Sequence, residues 1–174
     1  SWLLSSIIGV ILGLLSSKLI WKVSFGSEYL ANIIRFLISL PRSIHEILWG
    51  LLLIQTTGLN IWVPIIAIVI PYSCITARVI SDQIDNLDPK PLYALKTAGA
   101  LPINAFISAY IHKIMPLIIT YCGYRFECTL RGAVLLGMFG MGGIGTELEL
   151  TIRSLQFHEL WTSLWLLGIM MFFV

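Results

Sequence analysis

Long apolar stretches separated by short charged segments run through the chain, and their lengths predict membrane-spanning helices. A spanning helix needs about 20 mostly apolar residues. Residues 1–17 carry no charge and are followed by Lys18 and Lys22, so they predict a first span. The uncharged stretch 47–77 would be about 46 Å long as one helix and would overshoot a hydrocarbon core of about 30 Å. It therefore predicts two spans, with a turn at 56–60 where glycine and asparagine occur.

Two further spans are predicted in the second half of the chain. One covers about 116–139, although Arg125, Glu127 and Arg131 interrupt it, and the other runs from Leu160 to the last residue. Together the five runs predict an all-α membrane protein with five transmembrane helices. Because the first and last runs are cut short and the chain does not begin with methionine, we expect a single domain, 1–174, that is truncated at both ends.

The basic residues predict the orientation, because short cytoplasmic loops are enriched in lysine and arginine. If Gly58 faces outward, eight of the 11 basic residues lie on the opposite side of the membrane. Arg125 and Arg131 lie within a span, which leaves only Arg153 outside. The N-terminus is therefore predicted outside, and a long cytoplasmic segment, about 82–113, is predicted between the third and fourth spans.

The composition excludes a water-soluble monomer. Hydrophobic residues make up 57% of the chain and charged residues 11%, against about 25% charged residues in an ordinary soluble domain. The net charge of +2 is scattered, with no basic run that would indicate nucleic-acid binding. The three cysteines form no CxxC pair, and we interpret them as small apolar core residues: Cys74, Cys122 and Cys128.

The predicted cytoplasmic segment contains the pattern of a short helix. A pair of prolines at 89 and 91 suits a helix start, where the first amides need no partner. Leu92, Leu95 and Ala98 then recur at helical spacing, and Gly99 suits a helix stop. Spacing alone also fits a solvated loop with an amphipathic helix lying on the membrane surface.

Three strings in this order resemble the permease subunit of a phosphonate-type ABC importer, a type I ABC importer. They are DNLDPKPLYALKTAGA, then a helix ending KIMP, then YRFECTLRGAVLLGMFGMGGIGTELEL. The upstream string FLISLPRSIHEILWGLLLIQTTG also resembles the matching span of those permeases. The resemblance covers about 35–174 and implies a bacterial inner-membrane protein with several spans.

The resemblance implies that the short cytoplasmic helix couples the permease to an ATPase. In the family such a helix has a Glu-Ala-Ala start with a glycine four residues after the second alanine, and it docks in a cleft of the ATP-hydrolysing subunit. Tyr93 stands where that glutamate would be, while Ala94, Leu95 and Gly99 keep the rest of the pattern. The implied coupling residues are Asp88, Pro89, Leu92, Tyr93, Ala94, Leu95 and Gly99.

The resemblance also implies the partners. These are two ATPase subunits inside, a second permease copy, a substrate-binding protein outside and the lipid bilayer, with no cofactor and no nucleic acid. The sequence contains no phosphate-binding GxxxxGK[ST] loop, so ATP hydrolysis is expected on a separate chain. The three histidines lie far apart with no metal-ligand spacing, and no catalytic residues are predicted.

A glycine-rich string matches the GxGxxG pattern of dinucleotide-binding proteins. That pattern requires a preceding strand, whereas the preceding residues here predict a membrane span. We interpret the string instead as a bend or a close helix contact, formed by Gly140, Gly142, Gly143 and Gly145.

The charges within the fourth predicted span allow two interpretations. Glu127 and Arg131 are four residues apart and can pair on one helix face. Such a pair can simply hold the span against its neighbours. Alternatively, Arg125, Glu127 and Arg131 leave a net positive surface on the route of an anionic substrate, because guanidinium groups match phosphonate and phosphate oxygens.

The function that these observations predict is the passage of a small oxyanion (phosphonate, phosphite or phosphate) through an ABC importer. A permease of the same architecture for another small solute, such as an amino acid, is the first alternative. A polytopic membrane scaffold that transports nothing is the second.

Overall fold

The computed structural model describes residues 1–25 and 28–172, and over these residues it contains helices and no strand. This confirms the predicted all-α class. In chain order the helices are α1 (Trp2–Leu15), α2 (Lys18–Phe25), α3 (Tyr29–Arg42), α4 (Glu46–Thr57), α5 (Trp62–Asp85), α6 (Lys90–Thr97), α7 (Pro102–Leu136), α8 (Ile144–Arg153) and α9 (Phe157–Phe172). A bend at Gly137–Met141 joins α7 to α8.

Three segments of the described chain are long and apolar enough to cross a membrane. They are Trp2–Lys22, Trp62–Asp85 and Ile103–Met141. A fourth crossing is counted if α3 and α4 form one span, although they are bent by 80° at the break between them. The described residues therefore contain three or up to four spans, and the predicted count of five is not reproduced.

Helix length explains the difference. The second predicted span corresponds to α4, whose 12 residues extend only about 18 Å. The fifth corresponds to α9, which has 16 residues in the described chain, or about 24 Å. Both helices are shorter than a hydrocarbon core of about 30 Å.

Helices α5 and α7 both extend into the predicted cytoplasmic segment, 82–113. Helix α5 continues to Asp85, and α7 already begins at Pro102. Proline is compatible with the first turn of a helix because its missing amide would have no partner there. The connection between α5 and α7 is therefore the stretch 86–101, with α6 inside it. At 35 residues, or about 52 Å, α7 is longer than the hydrocarbon core of about 30 Å.

The helices group into two compact units. The first contains Ser1–Trp2, Ile44–Pro71 and Gly123–Val174, and the second contains Leu3–Ser43 and Tyr72–Cys122. In the first unit, Gly50 of α4 lies against Leu136, so a side chain there would collide with it.

Close contact between α1 and α5 organises the second unit. A Cβ atom added at Gly9 would lie 2.7 Å from the Cβ of Thr76, and one added at Gly13 would lie 2.9 Å from the Cβ of Ile80. Small residues let helix backbones approach closely in a membrane. A buried cluster of this unit then joins α2, α5, α6 and α7, and its members are Leu19, Ile80, Ile84, Leu92, Ala105, Tyr110 and Ile114.

Candidate functional site

The short helix predicted after the prolines is present as α6, and its ends follow from its sequence. The Asp88 carboxylate accepts a hydrogen bond from the backbone amide of Lys90 at 3.1 Å, which satisfies one donor of the first turn. At the other end, Gly99 has a φ of +88°, a conformation that glycine adopts without strain. The amide of Gly99 donates to the carbonyl of Lys96 and that of Ala100 to the carbonyl of Leu95. These two bonds form a Schellman-type helix end.

Helix α6 has one buried edge and one exposed face. The side chain of Leu92 is 1% exposed within the cluster that joins α2, α5, α6 and α7, and Leu95 packs against that cluster. Tyr93 is 41% exposed, and Ala94 and Lys96 are also exposed. The helix is therefore held to its own bundle along one edge and exposed on the other.

A hydrogen bond from α7 fixes the connection before α6. The Tyr110 hydroxyl donates to the backbone carbonyl of Asp88 at 2.6 Å, and the Tyr110 ring is almost fully buried. Phe106 lies edge-on against that ring, with 5.6 Å between the ring centroids. The entry to α6 is thus tied to the helix that follows it.

A buried polar cluster, which sequence reasoning missed, lies where α5 ends. It consists of Ser16, Ser17, Arg35, Ser81, Asp82 and Asp85. The Asp85 carboxylate accepts hydrogen bonds from the Ser17 hydroxyl at 2.8 Å and from the backbone amides of Lys18 at 3.2 Å and Leu19 at 3.1 Å. Asp85 therefore caps the N-terminus of α2, where a negative charge is stabilised by the helix dipole.

Arg35 of α3 completes this cluster. Its guanidinium donates to the Ser16 carbonyl at 2.9 Å, to the Ser81 hydroxyl at 2.5 Å and to the Asp85 carboxylate at 2.5 Å. The third guanidinium nitrogen, Nη1, lies 3.5 Å from an Asp82 carboxylate oxygen. The side chains of Arg35 and Asp85 are only 12% and 18% exposed. Their charges are compensated by each other and by neutral hydrogen-bonding groups, as buried charges require.

One sequence signal could have revealed this cluster. Arg35 is the single charge within the otherwise uncharged stretch 29–41, and an ionisable residue in such a stretch needs a buried partner. The acidic partners follow the third predicted span. The sequence could not show which of them Arg35 would reach, because more than 45 residues separate them.

The charged residues of α7 divide between two faces of the helix. Glu127 and Arg131 are in contact as an ion pair, with side chains 32% and 59% exposed. Arg125 lies about 200° around the helix from Glu127, and its Nε and Nη2 atoms are shielded from solvent. The predicted trio is thus a surface pair together with one inward arginine.

The glycine-rich string forms a sharp bend that begins α8. Gly140, Gly142 and Gly143 have φ values of +81°, +91° and +90°. A Cβ atom added at Gly145 would lie 2.8 Å from the Cα of Gly137, so the backbones on the two sides of the bend are in close contact. A helix, not a strand, precedes the string, and the dinucleotide-binding geometry is therefore missing from the described chain.

The histidines take local roles and form no metal centre among the described residues. His45 caps the start of α4 by accepting a hydrogen bond from the amide of Ile47. His112 and His158 lie on α7 and α9. No three histidine, cysteine, aspartate or glutamate side chains of the described chain are grouped so that they could hold a metal ion.

The structure thus defines a polytopic helical membrane protein with a short, half-exposed helix between two spans. The sequence model of one family, the binding-protein-dependent transport system inner membrane component, matches residues 6–174. The chain belongs to this family, and it is a multi-pass protein of the bacterial inner membrane.

Individual relatives agree with this assignment. The chain is 27% identical to the phosphite transport system permease protein PtxC of Stutzerimonas stutzeri over 74% of its own length and 46% of the relative. It is 32% identical to PhnE2 of Escherichia coli (strain K12), named as a cryptic phosphonate transport system permease protein, over 54% of its length and 77% of the relative. It is 26% identical to the phosphate-import permease protein PhnE of Mycolicibacterium smegmatis, over 70% of its own length and 23% of the relative.

The chain spans about half the length of PtxC. No solved structure matches the chain significantly.

Proposed function

We propose that the chain is the permease subunit of an ATP-driven importer for phosphonate or a related oxyanion such as phosphite or phosphate. The family match across 6–174 carries this proposal, together with relatives named for phosphite, phosphonate and phosphate transport. The match extends over both compact units, which supports one permease domain. ATP hydrolysis belongs to a separate subunit in this proposal.

The geometry of α6 supports coupling to that ATPase. A helix that transmits motion must be attached to the spans on one side and available to the partner on the other. Leu92 provides the attachment, while Tyr93 and Ala94 lie on the accessible face. In this proposal Asp88, Pro89 and Gly99 define the two ends of the docked helix.

The exposed ion pair on α7 supports a second permease copy or a water-filled route beside it. A charged side chain at bilayer depth costs about 2.5–3.5 kcal/mol, so it faces protein or water and not lipid. Arg131 is 59% exposed in the isolated chain, and its surroundings must therefore come from a partner chain or from water. In this proposal the substrate oxyanion passes along this face, and a binding protein delivers it from outside.

The proposed pore-forming domain has five spans with the N-terminus outside. In this arrangement the bent pair α3 and α4 forms one crossing and α9 begins another. Asn60 follows α4 in an exposed turn, and Lys90 begins α6. The basic residues cluster on the side of Lys90, which supports a cytoplasmic location for α6.

Thiol labelling of intact cells tests this orientation. With the native cysteines replaced, a cysteine at Asn60 should react with an impermeant reagent from outside, and a cysteine at Lys90 should react only after permeabilisation. The reverse pattern would invert the proposed topology.

Transport by purified components tests the function itself. Proteoliposomes that contain the permease, its ATPase and its binding protein should take up radiolabelled phosphonate, phosphite or phosphate. This uptake should occur only when ATP is present on the side of the membrane that carries the ATPase. Competition among the three anions would identify the preferred one. ATP-dependent uptake of an amino acid in place of these oxyanions, or no uptake of any solute, would reject the proposal.

A further inference from the structure

The polar cluster around Arg35 and Asp85 connects elements that are far apart in sequence. Asp85 is the last residue of α5, and α6 begins five residues later at Lys90. Helix caps usually come from a residue next to the helix start. Here the acceptor for the first amides of α2 lies 66 and 67 residues away. The start of α2 is therefore fixed by the end of α5.

Arg35, which lies on α3, connects α1 and α3 to the same point. Its guanidinium reaches the carbonyl of Ser16, the residue directly after α1, and it reaches α5 through Ser81 and Asp85. Because the guanidinium is planar and carries five donors, one side chain can hold these acceptors in a fixed geometry. Ser81 also donates to the Ser16 carbonyl at 3.0 Å, so α1 and α5 are joined there twice.

The same region contacts α6. Leu19 lies in the first turn of α2, and its amide is one of the two that Asp85 caps. Its side chain belongs to the buried cluster that contains Leu92 of α6. Ile80 and Ile84 of α5 belong to it as well. A displacement of α6 would therefore be transmitted to α2 and α5 through apolar contacts. The Arg35–Asp85 pair connects those two helices to α1 and α3.

We propose that Arg35 and Asp85 form a joint that makes the cytoplasmic ends of α1 and α5, the start of α2 and the middle of α3 move as one body with α6. Both are positioning residues, since they act through α6 and the spans and need not touch the solute. The inference rests on the proposed function, because the motion that the joint transmits is the one an ATPase would impose on α6.

A neighbouring ion pair offers a matched control. Arg78 donates to Asp82 at 2.9 Å, four residues further along α5, and the two side chains are 35% and 44% exposed. This pair lies within one helix. Asp82 itself also lies 3.5 Å from Arg35 of α3. Loss of the Arg78 charge removes a charge of the same sign nearby, while the contacts of Arg35 with Ser16, Ser81 and Asp85 stay in place.

The test measures solute uptake per ATP hydrolysed in proteoliposomes that contain the permease, its ATPase and its binding protein. Arg35→Gln and Asp85→Asn should retain ATP hydrolysis while uptake per ATP falls about tenfold or more, the usual size of a lost coupling between sites. Arg78→Gln should stay within about twofold of the wild type, as expected for an exposed pair. A ratio for Arg35→Gln that matches the Arg78→Gln ratio would overturn the inference.

Two further variants keep the test decisive if Arg35→Gln or Asp85→Asn alone prevents the permease from accumulating in the membrane. Arg35→Lys keeps the charge but loses the planar fork, so it should accumulate and still show a lowered ratio. Arg35→Gln combined with Asp85→Asn leaves no unpaired buried charge, and it should also accumulate with a lowered ratio. Normal uptake per ATP in either variant would reject the joint. A wild-type transporter without any solute uptake would instead reject the proposed function and this inference with it.

Discussion

Replacement of Gly99 by valine is expected to leave the permease inserted and assembled but to abolish the stimulation of its partner ATPase by the binding protein. Gly99 has a φ of +88° at the end of α6. A β-branched residue in that conformation costs about 1–3 kcal/mol. Apart from the two chain neighbours, no described residue has an atom within 4 Å of a Cβ added there, so the effect would come from the backbone and not from a collision. The turn after α6 would shift, and α6, docked to the ATPase as proposed, would no longer displace the spans in the same direction.

Gly58→Val provides the matched control for this prediction. Gly58 also has a positive φ, +75°, and also has no neighbour within 4 Å of an added Cβ. It follows α4 and is distant in sequence from α6. Gly58 has a ψ of −175°, a combination that essentially only glycine adopts, so valine there is strongly strained as well. Stimulated ATPase activity should nevertheless fall at least about tenfold only in Gly99→Val. Equal activity in both variants would remove Gly99 from the coupling mechanism.

The helices could be predicted from the sequence wherever an apolar run was long enough to cross the membrane. The spans that contain α1, α5 and most of α7 correspond to such runs. The α3–α4 pair could not be predicted in the same way. Arg35 and Arg42 lie in α3, and these basic residues indicated a cytoplasmic segment there. The partners of Arg35 come from α5, and a one-dimensional pattern cannot display such a contact.

In the candidate site, the local features could be predicted from the sequence and the tertiary contacts could not. The helix at Lys90–Thr97 and its glycine end are local features, set by prolines, helical spacing and a residue that tolerates positive φ. The direction of each charged side chain on α7 is also local, and the Glu127–Arg131 contact follows from the four-residue spacing. The cap on α2 by Asp85 is a tertiary contact, which explains why sequence reasoning missed it.

The ion pair on α7 gives the second prediction with a large effect. Removal of both charges in Glu127→Gln combined with Arg131→Gln should leave the permease assembled but lower ATP-dependent uptake about tenfold or more. Assembly is expected because the two charges of the pair are removed together, so neither Glu127 nor Arg131 leaves its partner unpaired. Uptake is expected to fall because an arginine that meets an oxyanion donates charge-assisted hydrogen bonds, which contribute about 1.5–3 kcal/mol each.

A second ion pair of the same kind controls for the loss of the two charges as such. Glu149 and Arg153 are also four residues apart, are 2.7 Å apart in the structure and have side chains 28% and 75% exposed. They lie on α8, beyond the bend. The corresponding double substitution there should leave uptake within about twofold of the wild type. If instead the α7 double variant transports normally while either single change is damaging, Arg131 serves only to neutralise Glu127. The pathway for the anion would then have to be sought on another face of the pore.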